Sequence, residues 1–347
     1  MRILFTGVYS HLYGGLERFA ERAAAKLREN GHEVITVGDV PEKLEDVDYV
    51  LMHKVPKRAE DLRRLKSKYG EALHFYAHDH ELYCLRRHYY DPMRKLCERT
   101  YSFFPCRLCA AVTRPQWIFS NISRDITTFI NEMRKVKTFV ASNYMKNNLI
   151  KNGFNPDKIK ILYPTFVRPK RDEAAKHAWM ANGELNILYM GQLVAGKGVG
   201  VLIDAVKLMK TPYRLSIVGA GRDEKKLVKR ANDRISFLGW RNDAQSLCAT
   251  ADVCAVPSLW NEPFGMVGAE ALSHGVGVVA FNVGGISDLL VPGKTGFFAR
   301  ERSAKALAEA LDKMADKKLL ARISENALDL VEKLFDPDKF INTLLER

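Results

Sequence analysis

Short apolar runs alternate with longer segments of helical spacing along the whole chain, and their order predicts two successive α/β domains. Met1–Val8 is apolar and reads as a first buried strand, followed by a loop over Tyr9–Gly15. In Leu16–Asn30 the apolar residues Leu16, Phe19, Ala20, Ala23, Ala24 and Leu27 share one helix face, and Gly31 ends the pattern. Strands at Glu33–Val37, Tyr49–His53, Leu73–Ala77, Gln116–Ser120, Thr138–Ser142 and Lys160–Tyr163 continue the alternation, which predicts a doubly wound parallel sheet. Pro164–Asn182 breaks it with two prolines and the cations Arg168, Lys170 and Arg171. A fresh strand at Leu185–Met190 opens a second domain, with further strands at Arg214–Val218, Ile235–Phe237, Val253–Val256 and Val278–Phe281 and helices from Ser303 to Arg347. The predicted organisation is a first domain over 1–168 with an insertion over 79–115, a connection over 169–184, a second domain over 185–334 and a terminal helix over 335–347. No internal repeat of solenoid period and no low-complexity tract interrupts this order.

Composition supports two ordinary cores and adds an electrical asymmetry. The 347 residues are 47% apolar and carry a net charge of +13. Residues 1–175 hold 31 Lys and Arg against 21 Asp and Glu, while the remainder holds 23 against 20. The excess is densest at Lys54, Lys57, Arg58, Arg63, Arg64, Lys66 and Lys68, which fall along one expected helix, and at Arg86, Arg87, Arg94, Lys95 and Arg99. Such a patch suits an anionic membrane surface or a phosphorylated acceptor, and is otherwise a solvated face. With no aromatic-interleaved RNA motif and no helix-turn-helix signal, nucleic acid is not an expected partner. No apolar run is long enough to span a bilayer, and the N-terminus turns polar by Ser10-His11, too soon for a signal peptide. The expected location is cytoplasmic, with peripheral docking on the inner face of the membrane.

The densest chemistry lies in Asn261-Glu262-Pro263-Phe264-Gly265-Met266-Val267-Gly268-Ala269-Glu270-Ala271-Leu272. Pro263 and Gly265 stand between two glutamates where a helix should begin, after one apolar strand and before the next. A βαβ unit places such a helix start at the carboxyl edge of a parallel sheet, where these sheets bind ligands. The N–H groups of Phe264, Gly265 and Met266 would form an anion site. An eight-residue step along a helix is roughly 12 Å, about the span from a sugar hydroxyl to a ribose across a diphosphate. The plainer reading is an ordinary βαβ corner with solvent-facing glutamates.

Glu262 through Glu270, with Val256-Pro257-Ser258 before the pair and Ala271, Gly275 and Gly284-Gly285 after it, resembles the paired-glutamate signature of glycosyltransferase family 4. These are retaining, nucleotide-sugar-dependent enzymes of the GT-B fold, two Rossmann-like domains facing across a cleft. The resemblance implies that Glu262 holds the sugar hydroxyls, Glu270 the ribose, and Phe264, Gly265 and Met266 the diphosphate. Gly191-Gln192-Leu193-Val194-Ala195-Gly196-Lys197-Gly198 resembles the family's diphosphate loop: Lys197 matches, but Gln192 stands where an arginine is expected. Either another cation substitutes, or turnover is slow, or the match is weaker than it looks. Gly14-Gly15 resembles a pair facing donor phosphate and acceptor, and His78, in His78-Asp79-His80, fits a histidine close to the transferred sugar. Gly284-Gly285-Ile286-Ser287-Asp288, Gly219-Ala220-Gly221 and Phe237-Leu238-Gly239-Trp240 resemble further ligand-lining turns. The family's last helix crosses back to the first domain, which nominates Phe335–Arg347.

Cys84, Cys97, Cys106 and Cys109, separated by twelve, eight and two residues, cluster in the insertion. Four thiolates make a candidate structural zinc site, although the spacing is not that of a standard finger, and buried free thiols or disulfides are the alternatives. Gly293-Lys294-Thr295 lacks the leading glycine of a phosphate loop because position 288 is Asp. No Gly-x-Gly-x-x-Gly follows the first strand, so dinucleotide binding is not expected. The expected activity is metal-independent sugar transfer from a UDP- or GDP-sugar to a glycan or lipid-linked acceptor, with Lys197, Glu262 and His78 as catalytic candidates. A nucleotide-sugar epimerase, a phosphorylase and a non-catalytic sugar-nucleotide binder are the alternatives.

Overall fold

The computed structural model describes residues 1–9, 14–88, 90, 96–112, 122–166, 169, 180 and 182–346. The expected strand at Gln116–Ser120 and the cations Arg94, Lys95, Arg168, Lys170 and Arg171 lie outside these residues. The chain divides into two compact units, one of Met1–Thr165 with Phe335–Arg347, the other of Phe166–Leu334.

In the first unit, strands β1 (Arg2–Thr6), β2 (Glu33–Val37), β3 (Tyr49–Met52), β4 (Leu73–Ala77), β5 (Lys137–Val140) and β6 (Ile159–Ile161) form one sheet ordered β2-β1-β3-β4-β5-β6. All pairings are parallel. A parallel sheet is covered on both faces, and β3 and β4 are accordingly buried at every position. Helices α1 (Gly15–Glu29), α2 (Ala59–Tyr69), α3 (Phe103–Ala111), α4 (Ile122–Met133) and α5 (Asn143–Lys151) flank it. Helix α1 buries Phe19, Ala20, Ala23, Ala24 and Leu27, the stripe its sequence periodicity marks. Helix α5 starts where the Ser142 side chain accepts the Met145 N–H at 3.1 Å.

The basic run is less concentrated than its sequence suggests. Lys54, Lys57 and Arg58 precede α2 rather than lying on it. Arg58 and Arg64 both pair with Asp61, Lys66 with Glu132 and Lys68 with Asp46. Much of the local charge is therefore met by neighbouring acids.

In the second unit, β7 (Leu185–Met190), β8 (Tyr213–Val218), β9 (Ile235–Phe237), β10 (Val253–Val256), β11 (Gly277–Phe281) and β12 (Gly296–Ala299) form a second parallel sheet ordered β12-β11-β10-β7-β8-β9. Helices α6 (Val199–Leu208), α7 (Glu224–Val228), α8 (Met266–Ser273), α9 (Ala304–Asp312) and α10 (Lys317–Leu334) accompany it. Strand β12 has only four residues behind a glycine-rich turn, too short for its apolar pattern to stand out in the sequence. The last helix, α11 (Pro337–Leu345), belongs to the first unit: the Tyr49 hydroxyl donates to the Leu344 carbonyl at 2.8 Å and Phe340 meets Phe19 edge-on.

Strand order reverses between β1 and β3 in one sheet and between β7 and β10 in the other. Loops that leave two such strands diverge, and open parallel sheets hold their ligands at such a point.

Candidate active site

At the switch point of the second unit, the loop after β7 is pinned to the segment after β10 through the backbone. The N–H groups of Leu259 and Trp260 donate to the Gly196 carbonyl at 2.8 and 3.3 Å. The Trp260 ring lies so close over Gly196 that a Cβ there would come within 2.0 Å of it. Lys197, on the short 3-10 turn Ala195–Lys197, reaches the Glu262 Oε1 at 2.7 Å and lies 5.4 Å from the centre of the Trp260 ring. The same oxygen accepts the Ser258 hydroxyl and, at 3.0 Å, the Trp260 indole N–H. Glu262 is buried. Burial alone would raise its pKa, but the Lys197 charge and the three donors outweigh burial and hold the carboxyl below its ordinary value. Gly284, at φ 60°, completes the wall: a Cβ there would stand 2.1 Å from the Glu262 carbonyl oxygen, which accepts the Gly285 N–H at 2.7 Å.

Helix α8 begins at Met266 behind Gly265 at φ 91°, with no side-chain cap. The step from Glu262 to Glu270 is therefore half loop and half helix, which corrects the wholly helical spacing expected from sequence. Glu270 lies inside α8 and is buried, and burial, with a smaller contribution from Glu270, pushes the nearby Cys248 thiol up to about 12. Phe264 is buried beside the helix start, while Gln192 is exposed, with its carbonyl accepting the Tyr189 hydroxyl at 2.9 Å. The arrangement brings together one cation, one ionised carboxylate and an uncapped helix N-terminus, a set that can hold a polyol beside an anion.

In the first unit, Gly14 caps α1 and Gly15 is its first residue, where an added Cβ would meet nothing within 4 Å. His78 follows β4 and meets His53, which follows β3, with the His53 Nδ1 2.8 Å from the His78 Nε2. Burial is the main cause that lowers both pKa values, His53 to about 3, and Lys54 adds to it. Lys54 pairs with buried Glu17 at 3.5 Å. Burial raises the carboxyls of Asp79 and Glu81, and the Asp79 charge raises Glu81 further, against the Arg87 guanidinium 3.0 Å from it. Next to these groups, a cavity of about 520 Å³ opens at the switch point between β1 and β3, lined by Thr6, Gly7, Tyr9, Lys54, Lys57, Arg58 and Arg87 among others. Two contributors carry no motif. Trp260 directly precedes the paired-glutamate run, and His53 reads as the last residue of a strand. Its signal is positional, since it leaves the sheet beside the strand that precedes His78.

The expected zinc site is not supported. Among the described residues no three His, Cys, Asp or Glu are placed to hold a metal ion, and Cys84, Cys97, Cys106 and Cys109 form no disulfide. Cys84 and Cys97 pack against the apolar core of the first unit, and Cys106 is engaged within its own helix start by the Ser102 N–H. Closeness along the chain does not bring these sulfurs into one shell. No helix among the described residues is long and apolar enough to cross a membrane.

Two parallel six-stranded sheets with flanking helices define the GT-B class. Anabaena HepE, solved in complex with UDP-glucose, shares this fold over 100% of this chain and 98% of its own, with a TM-score of 0.71 at 19% identity. Residues 184–317 match the family model Glycosyl transferases group 1. An uncharacterized glycosyltransferase of Methanocaldococcus jannaschii is 28% identical over 57% of this chain and 55% of its own length. The glycogen synthase of Mycobacterium tuberculosis is 27% identical over 58% and 51%. The chain thus spans about half the length of these curated relatives.

Proposed function

We propose that the protein is a retaining glycosyltransferase that moves a sugar from a UDP- or GDP-sugar to an acceptor hydroxyl. The observation that carries this reading is the Lys197–Glu262 pair beside the uncapped start of α8. In the donor complex the diphosphate takes over Lys197 and the helix N-terminus, and Glu262, released from the ammonium, accepts sugar hydroxyls. Glu270 binds the ribose. The leaving diphosphate gathers charge in the transition state, and Lys197 with the α8 N–H groups supplies the compensation without a divalent cation. The departing phosphate helps to remove the acceptor proton on the same face. UDP is the favoured donor nucleotide, because HepE holds UDP-glucose on the same fold.

Gly15 and His78 serve the acceptor side. An acceptor, glycan or lipid-linked, fits the cavity whose wall carries Lys54 and Arg87 together with the Lys57–Asp39 and Arg58–Asp61 pairs. Phe104, Leu108 and Val112 recur every fourth residue along α3 and its end, are 73%, 65% and 68% exposed, and have Arg99 and Arg107 nearby in the chain. They support docking on an anionic membrane.

The test is thermal stabilisation by UDP, GDP, ADP, CMP and their sugar conjugates without added metal. A ligand at 100 times its dissociation constant adds about 2.7 kcal/mol. A shift with one base, lost in Glu270→Ala, is the expected outcome. Gln192, uncharged where the family has arginine, favours one second reading, a non-catalytic sugar-nucleotide binder. A shift accompanied by neither transfer nor hydrolysis would select it.

A further inference from the structure

His53 and His78 leave neighbouring strands and meet through a hydrogen bond of 2.8 Å. Between two neutral imidazoles one nitrogen donates and the other accepts, so the proton position on one ring dictates that on the other. His53 is fully enclosed, and its Nε2 has no hydrogen-bond partner among the described residues. Phe5 and Phe19 stand edge-to-face with it at 4.8 and 5.8 Å, and Tyr76 is 6.5 Å away. An N–H buried among aromatic rings keeps a weak attraction to their negative faces, whereas a bare lone pair is repelled by them. The lower-energy arrangement puts the His53 proton on Nε2 and leaves its Nδ1 as the acceptor. His78 then carries its proton on Nε2 and donates it to His53, which leaves the His78 Nδ1 bare.

We infer that His53 is a positioning residue that fixes the tautomer of His78, so that His78 presents Nδ1 as a hydrogen-bond acceptor to a sugar hydroxyl. The inference rests on the reading of His78 as a substrate-facing group. Burial, helped by the Lys54 charge, keeps both rings neutral, so the acceptor is not lost to protonation near neutral pH. A neutral acceptor selects a hydroxyl donor and leaves the diphosphate to Lys197.

Long-range 1H–15N correlation of the histidine side chains in the full-length protein reads the tautomer directly. The wild type should show His78 protonated at Nε2. His53→Phe fills a similar volume without an acceptor, so His78 should become a mixture of tautomers and kcat should fall about tenfold with little change in donor KM. His53→Asn places an amide oxygen near the former Nδ1 and should restore both the spectrum and the rate. A wild-type His78 protonated at Nδ1, or a His53→Phe variant with an unchanged His78 tautomer, overturns the inference. A wild type that neither binds nucleotide nor transfers sugar removes the glycosyltransferase reading instead, and the spectrum still decides the tautomer.

Discussion

In the second unit the site is made largely of backbone, and in the first it is made of side chains. Gly196 lies under Trp260, Gly284 against the Glu262 carbonyl, and the Lys197–Glu262 ion pair ties the two loops together. At the corresponding switch point of the first unit stand the buried His53 with the half-buried His78, the buried Glu17 paired with Lys54, and two carboxyls with raised pKa values beside Arg87. A backbone-built site needs glycines at fixed positions, and these make a pattern that a family model can match. The match accordingly falls within the second unit, at residues 184–317. A side-chain-built site leaves single ionisable residues scattered through the sequence. The two designs also respond oppositely to their surroundings: the buried Glu262 stays ionised because a cation was built beside it, whereas the first unit buries imidazoles and holds them neutral.

Acid should therefore separate the units, and this is the largest effect expected. His53, His74 and His78 fold with pKa values below the ordinary 6.5, His53 at about 3 and His74 at about 4. Their stabilisation is complete above the unfolded value and is lost as pH falls. His53 and His74 each cost the first unit about 2 kcal/mol at pH 5. Asp79 and Glu81, whose pKa values are raised, act in the other direction and recover part of this loss. The depressed pKa of Glu262 keeps its contribution intact until pH drops below the ordinary carboxylate value. Hydrogen exchange at pH 7 and pH 5 should show protection falling first in the sheet of the first unit. Equal loss in both units would erase the contrast.

Removing the built-in cation tests the other half. Lys197→Ala or Glu262→Ala should lower transfer by about 10²–10³, the worth of one group aimed at developing charge or at the reacting sugar. The first leaves Glu262 with its Ser258 and Trp260 donors, so the fold should survive, as circular dichroism can confirm. Wild-type turnover in both variants would remove the donor site from this place. Gly284→Ala attacks the backbone design itself. Its Cβ would face the Glu262 carbonyl at 2.1 Å from a left-handed conformation, so neither partner gives way cheaply. A loss of about 1–3 kcal/mol in urea unfolding, with a raised donor KM, is expected. Unchanged stability would mean that the Gly284–Glu262 contact is looser than the fold suggests.

What the sequence shows of this molecule follows the same division. The helix stripe of α1, the other eleven strands of the two sheets and the start of α8 after Gly265 are legible because burial imposes periodicity and a left-handed turn demands glycine. The four-residue β12 is not, because so short a strand carries too little pattern. The cysteine cluster shows the limit of proximity along the chain, since a metal shell needs convergence in space. His53 is legible only as a strand-end residue, for a related reason. Its partner is set by the parallel register of β3 and β4, which the local sequence does not encode.

Gly15 carries the smallest expected effect on the fold and sharpens the comparison most finely. Gly284 is required by its own protein, because a methyl there strikes backbone. Gly15 is not: its φ lies outside the left-handed region, and a Cβ would meet nothing within 4 Å. Alanine is also the better helix former, by up to about 1 kcal/mol in a helix interior and less at a first turn. Gly15→Ala should therefore leave the melting temperature unchanged or slightly raised. If the glycine is there to let a ligand approach the start of α1, the added methyl should still weaken binding, and about tenfold in KM for donor or acceptor is the expected size for one misplaced methyl in a close contact. Isothermal titration with the nucleotide sugar and a KM series for the acceptor would show which substrate is affected. A variant unchanged in both would make Gly15 an ordinary turn residue and leave His78 alone to represent the acceptor side of the first unit.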